Sequence, residues 1–185
     1  MYTAPAIHHL IGKEVFIMGI FSKLFGKANE APVFDGNKLY APMNGRAVPL
    51  TDVPDPTFAE CLLGNGIAIV PSDGKVYAPT DGVVETMFDT GHALCMTSNT
   101  GVEILIHVGL ETVGLNGAPF KIHCKNGDTV KKGQLLLEAD LDAIQAAGLP
   151  IITPVLVCNN YDYPTFDVVT GKFVTNDDIV ISVAK

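Results

Sequence analysis

Basic residues are scarce in this chain. Twelve Lys and Arg stand against twenty Asp and Glu, a formal charge of −8. Phosphate-rich partners need a basic surface, so nucleic acid is excluded. An acidic surface suits meetings with basic faces of other proteins. Charged residues are only 17% of the 185 and hydrophobic ones 48%. That balance is too apolar for a disordered chain and sufficient for one domain with a sizeable core. Cysteine is sparse: Cys61, Cys95, Cys124 and Cys158 are scattered, and none lies in a C-x-x-C pair. A zinc ribbon or thioredoxin motif is therefore not expected, and four reduced thiols of a cytosolic protein are. No secretory signal is evident, and no apolar run is long enough to cross a bilayer as a helix. Neither H-E-x-x-H nor H-x-H occurs.

What the chain does have is a histidine in an unexpected place. In Val102-Glu103-Ile104-Leu105-Ile106-His107-Val108, the aliphatic residues Val102, Ile104, Ile106 and Val108 share one face of a strand. Glu103, Leu105 and His107 share the other. An imidazole opposite so apolar a face has no packing role. Ser98-Asn99-Thr100-Gly101 reads as a hairpin turn. With Asn99 and Thr100 at its centre, His92 lies directly across from His107. With Gly101 as a bulge, the register moves by one and the two become diagonal neighbours. In the first register Leu94 and Met96 flank His92 and Leu105 flanks His107, giving an apolar docking surface around the pair.

The first 17 residues differ from the rest and read as translated leader. Gly12-Lys13-Glu14-Val15 can be encoded by a purine-rich ribosome-binding sequence, with Met18 at a start-codon distance. Residues 18–37 form an N-terminal segment in which Ile20, Phe21, Leu24 and Phe25 share a helical face flanked by Lys23 and Lys27, a pattern that suits peripheral contact with an anionic membrane. The alternative is a frayed end, because so short a helix is marginal in water. Residues 38–185 read as a single domain. Strand-like runs fall at 66–70, 75–77, 82–88, 92–97, 102–108, 120–123, 135–139, 155–157 and 179–183, separated by turn dipeptides such as Asn44-Gly45, Asp81-Gly82 and Asn126-Gly127. The expected class is all-β: an antiparallel sandwich or partly closed barrel. Two short helices are expected near 57–61, after Asp55-Pro56, and 142–147, before Gly148. Tyr40-Ala41-Pro42-Met43-Asn44-Gly45 is echoed by Tyr77-Ala78-Pro79-Thr80-Asp81-Gly82, which points to two similar units about a pseudo-twofold axis.

Three chemistries suit the pair. Histidines without a task are the usual case for one residue but not for two that meet. A zinc site at His92 and His107 is a candidate, with His123 or Glu111 as further ligand, although a catalytic zinc needs three protein ligands and no ligand spacing is present. The third is nucleophilic: a neutral imidazole nitrogen attacks phosphorus, and a neighbouring N–H steadies the phosphoryl oxygens.

The segment Leu105-Ile106-His107-Val108-Gly109-Leu110-Glu111-Thr112-Val113 resembles the phosphorylation motif of the glucose-type enzyme IIA family of the bacterial sugar phosphotransferase system. Asp52-Val53-Pro54-Asp55-Pro56-Thr57-Phe58-Ala59-Glu60, Gly64-Asn65-Gly66-Ile67-Ala68-Ile69-Val70-Pro71, Ala78-Pro79-Thr80-Asp81-Gly82 and Thr153-Pro154-Val155 extend the likeness over roughly Met18 to Lys185, the span of a free-standing member. The resemblance implies a barrel-sandwich hybrid with a shallow active site and no cofactor. It implies that His107 takes a phosphoryl group on Nε2 from the phosphocarrier protein HPr and passes it to a cysteine of a IIB or IIBC component. It further implies that His92 hydrogen-bonds the phosphoryl group, that Thr90 orients His92, and that the Gly109 carbonyl holds Nδ1 of His107. Phe58, Phe88 and Leu105 would form the apolar docking surface, with Asp55 and Glu111 at its rim facing basic residues of HPr. Glu111 stands where some members have Asp, and Leu105 where some have Phe.

Two other resemblances are weaker. Asn126-Gly127-Asp128-Thr129-Val130-Lys131-Lys132-Gly133 is similar to lipoyl and biotinyl carrier domains, but no lysine lies between Val76 and Gly117 to carry the group. LytM-like zinc peptidases need His-x-His ligands that are missing. A phosphorylation-sensitive regulatory module acting on transporters or metabolic enzymes is the alternative of a different class.

Overall fold

The structure, a computed structural model, describes residues 35–185. The leader at 1–17 and most of the segment at 18–37 lie outside the described residues. Fourteen strands follow in chain order among those described: β1 (Lys38–Tyr40), β2 (Gly45–Pro49), β3 (Asn65–Pro71), β4 (Lys75–Tyr77), β5 (Gly82–Met87), β6 (Ala93–Ser98), β7 (Glu103–His107), β8 (Phe120–Ile122), β9 (Thr129–Val130), β10 (Leu135–Ala139), β11 (Thr153–Val157), β12 (Thr165–Val168), β13 (Phe173–Val174) and β14 (Ile179–Ala184). They build one eight-stranded sheet, β13-β2-β3-β11-β7-β6-β5-β9, and two three-stranded sheets, β1-β14-β12 and β4-β10-β8. The strand pairs are antiparallel, and among the described residues no closed barrel forms.

Two short helices stand where they were expected, α1 (Pro56–Ala59) and α2 (Leu141–Ala146). Each starts at an aspartate whose carboxylate accepts an orphan backbone N–H: Asp55 from Thr57 at 2.8 Å and Asp140 from Ala143 at 2.9 Å.

The alternation read in β7 sets the packing. Val102, Ile104, Ile106 and Val108 are at most 1% exposed and join Leu39, Ile67, Ile69, Leu136 and Val155 in the main core. On the opposite face of the large sheet, Leu50, Val53, Phe58, Ala68, Leu110 and Leu156 form a second apolar cluster, with Leu105 packed on it. This second cluster floors the surface from which His107 rises. The sequence echo is a structural symmetry: the Tyr40 N–H donates to the Pro79 carbonyl at 2.9 Å and the Tyr77 N–H to the Pro42 carbonyl at 2.8 Å. Two strand–turn–strand units thus clasp each other reciprocally.

The β6–β7 hairpin takes the bulged register. Its turn closes from the Gly101 N–H to the Ser98 carbonyl at 3.0 Å, with Gly101 at φ +88°. His107 lies opposite Ala93, Leu94 opposite Ile106, and Met96 opposite Ile104. This corrects the expectation for Leu94 and Met96. A one-residue shift moves every side chain to the other face, and both residues are core, 0% and 1% exposed. They take no part in a docking surface.

Candidate functional site

Continued alternation would also send His92 into the core behind Leu94. It escapes because β6 begins only at Ala93 and the backbone turns sharply before it. Gly91, at φ +66°, donates its N–H to the Phe88 carbonyl at 2.7 Å. The turn swings the His92 ring toward that of His107, edge to face, with centroids 5.1 Å apart. Pairing of the histidines is therefore as expected, but a turn brings them together and not direct cross-strand opposition.

Each ring has one nitrogen engaged. His107 Nδ1 lies 2.8 Å from the Gly109 carbonyl oxygen. A carbonyl only accepts, so Nδ1 carries the proton and Nε2 keeps its lone pair. His92 Nδ1 meets Thr90 Oγ1 at 2.5 Å. Thr90 and Gly109 thus sit beside the atoms anticipated for them. Burial pushes the pKa of both imidazoles down. The charge of His107 lowers that of His92 further, while for His107 the Gly109 carbonyl and the Asp55 and Glu111 carboxylates partly offset the fall. Both rings are held neutral at neutral pH.

Two phenylalanines flank the pair. Phe58 stands 5.3 Å from His107 and Phe88 5.2 Å from His92, centroid to centroid. Only Phe88, 41% exposed, faces outward. Phe58 is 5% exposed, which corrects its place on an open docking surface. It backs the His107 ring as a wall of the second cluster. Leu105 is half-buried beside it, and Asp55 and Glu111 lie at the edge. Val113 and Ile122 are exposed, and Ile122 lines an open depression of ≈ 420 Å³ with Phe88 and Lys125. Neither was anticipated as surface, because an aliphatic residue in a short strand or turn reads as core. Among the described residues no group of three or more His, Cys, Asp or Glu side chains is placed to hold a metal ion, and no helix is long and apolar enough to cross a membrane.

Fold and site together define an antiparallel sandwich that presents a neutral, singly tethered imidazole beside a second one. Residues 37–163 match the phosphoenolpyruvate-dependent sugar phosphotransferase system, EIIA 1 family, and the chain belongs to it as an EIIA unit of that system. It is 43% identical over 145 residues to the glucose-specific EIICBA component of Staphylococcus saprophyticus, covering 78% of this chain and 21% of that one. The chain thus spans about a fifth of that relative's length. Against the glucose-specific EIIA component of Haemophilus influenzae, identity is 34% over 91% of this chain and 100% of the other. The solved glucose permease IIA from Mycoplasma capricolum superposes with a TM-score of 0.73 at 35% identity, covering 78% of this chain and 93% of that structure.

Proposed function

We propose that His107 is the phosphoryl carrier of this EIIA unit. Its Nε2 lone pair attacks the phosphorus of phospho-HPr as the bond from phosphorus to the donor histidine nitrogen breaks. In the second step a cysteine thiolate of a IIB component attacks the same phosphorus, and the P–N bond returns its electron pair to Nε2. The observation that carries this reading is the Nδ1 contact with the Gly109 carbonyl, which leaves Nε2 as the nucleophile. His92 steadies the phosphoryl oxygens by a hydrogen bond from Nε2, and Thr90 orients it from Nδ1. Asp55 and Glu111 attract basic partner residues, while Phe88 and Leu105 give the apolar contact. The fusion of A, B and C units in the Staphylococcus saprophyticus relative supports a IIB or IIBC partner. The relatives' names favour glucose as the sugar. Such chemistry belongs to the cytoplasm, where phosphoenolpyruvate supplies the phosphoryl group.

The test is labelling from phosphoenolpyruvate through enzyme I and HPr. Wild-type protein should become labelled at His107 within seconds, and His107→Ala should take no label while remaining folded. Label on another residue of that variant would refute the assignment. His92→Gln should still be labelled but pass phosphate to IIB about 10²-fold more slowly, the usual effect of losing one transition-state donor. An unchanged onward rate would remove His92 from the mechanism.

A further inference from the structure

The carbonyl that sets the His107 tautomer belongs to a loop fixed on both sides. Two peptide units flank Gly109, and each is held at both ends. In the first, the Val108 carbonyl accepts from Thr112 Oγ1 at 2.6 Å, and the Gly109 N–H points to Thr153 Oγ1 at 3.5 Å. In the second, the Leu110 N–H donates to the Pro150 carbonyl at 3.0 Å, and the Gly109 carbonyl accepts from His107 Nδ1. The proton of Thr153 goes to the Ile151 carbonyl at 3.0 Å, so its oxygen is left to accept. Both threonines are fully buried, and a hydroxyl is buried favourably only when it is bonded.

The space around Gly109 is as restricted as its bonding. A Cβ built there would lie 2.7 Å from the Thr112 methyl and 2.8 Å from the Pro150 oxygen. The unit therefore sits between the turn that follows it and the connection from α2 to β11. Rotating the 109–110 peptide would break the Leu110–Pro150 bond and turn the carbonyl away from the imidazole. Without that acceptor the ring is free to carry its proton on Nε2, where it has no lone pair for phosphorus.

We propose that Thr112 is a positioning residue for the acceptor histidine: its buried hydroxyl, opposed by Thr153 and the Pro150 carbonyl, fixes the Gly109 carbonyl and through it the Nδ1–H tautomer of His107. The kinetic consequence rests on His107 being the acceptor; the tautomer does not, and is read without any partner protein.

The experiment uses full-length protein with ¹⁵N-labelled histidine, unphosphorylated, at mildly alkaline pH. Wild type should show Nδ1 protonated and Nε2 bare. Thr112→Val keeps the shape but loses the hydroxyl, and should lower the ratio of the two tautomers about five-fold, the worth of one ordinary hydrogen bond. Labelling by phospho-HPr should slow by a similar factor, and Thr112→Ser should restore both. If Thr112→Val does not fold, Thr153→Val removes the acceptor of the Gly109 N–H and is read in the same way. A wild-type tautomer ratio in the valine variant, whatever its melting temperature, overturns the proposal. So does failure of Thr112→Ser to restore the ratio. Wild-type protein that takes no label refutes the phosphoryl-carrier reading and leaves the tautomer result to be judged on its own.

Discussion

Gly109→Ala tests the packing behind the site most directly. Gly109 has φ +70°, where a Cβ crowds its own backbone at about 1–2 kcal/mol. The new methyl also meets the Thr112 Cγ2 at 2.7 Å and the Pro150 oxygen at 2.8 Å. Neither neighbour can yield easily: Pro150 offers backbone, and Thr112 is fully buried with its hydroxyl on Val108. Overpacking of this kind adds roughly 1–3 kcal/mol, so the total is about 2–5 kcal/mol. Gly127→Ala is the matched control, with φ +84° and nothing within 4 Å of its Cβ. It should lose only the backbone share of about 1–2 kcal/mol. Urea unfolding of both variants at neutral pH, with unchanged m-values, gives the difference. The crowded variant should be the less stable by at least ~1 kcal/mol. Equal losses would show that the loop at 109–112 gives way freely and is not a rigid wedge.

Other expectations follow from the corrected register and from the titration of the pair. Leu94→Ala should destabilise by about 2–5 kcal/mol, as for a fully buried leucine, while leaving KM for phospho-HPr unchanged at temperatures where it is folded; a raised KM with normal stability would return Leu94 to the surface. Phe88→Ala, at a side chain 41% exposed, should do the reverse, raising KM for partner proteins with a stability change of about 1 kcal/mol or less; an unchanged KM would take Phe88 out of the docking surface. Both imidazole pKa values are lowered, so the unfolded chain binds more protons than the folded one in acid. The stability the pair contributes is therefore complete above the ordinary histidine value of ~6.5 and is lost as pH falls through the depressed folded values. NMR titration should place both midpoints below that value, and His107→Gln should raise that of His92; a His107 midpoint above it would contradict the burial argument.

The primary structure by itself determined the class of fold and the face on which His107 stands. Four aliphatic residues alternating with Glu103, Leu105 and His107 admit only one arrangement once one side is buried, and the turn dipeptides mark where strands end. The repeated Tyr-Ala-Pro units were legible as a symmetry because each copy carries its own turn signal. The membership of the family was legible too, since its motifs recur along most of the chain at family spacing. Three features belonged to tertiary structure alone. Whether the β6–β7 turn held two residues or three was undecided by Ser98-Asn99-Thr100-Gly101, and that single residue chose between surface and core for Leu94 and Met96. His92 reaches His107 only because the Gly91 turn interrupts the strand, which no alternation predicts. Phe58 and the Thr112–Pro150–Thr153 enclosure depend on segments about forty or more residues apart in the chain, the second brought to Gly109 by the pairing of β11 with β7. Local patterns fix which way a side chain points relative to its neighbours. Only the register of the sheet fixes what it points at.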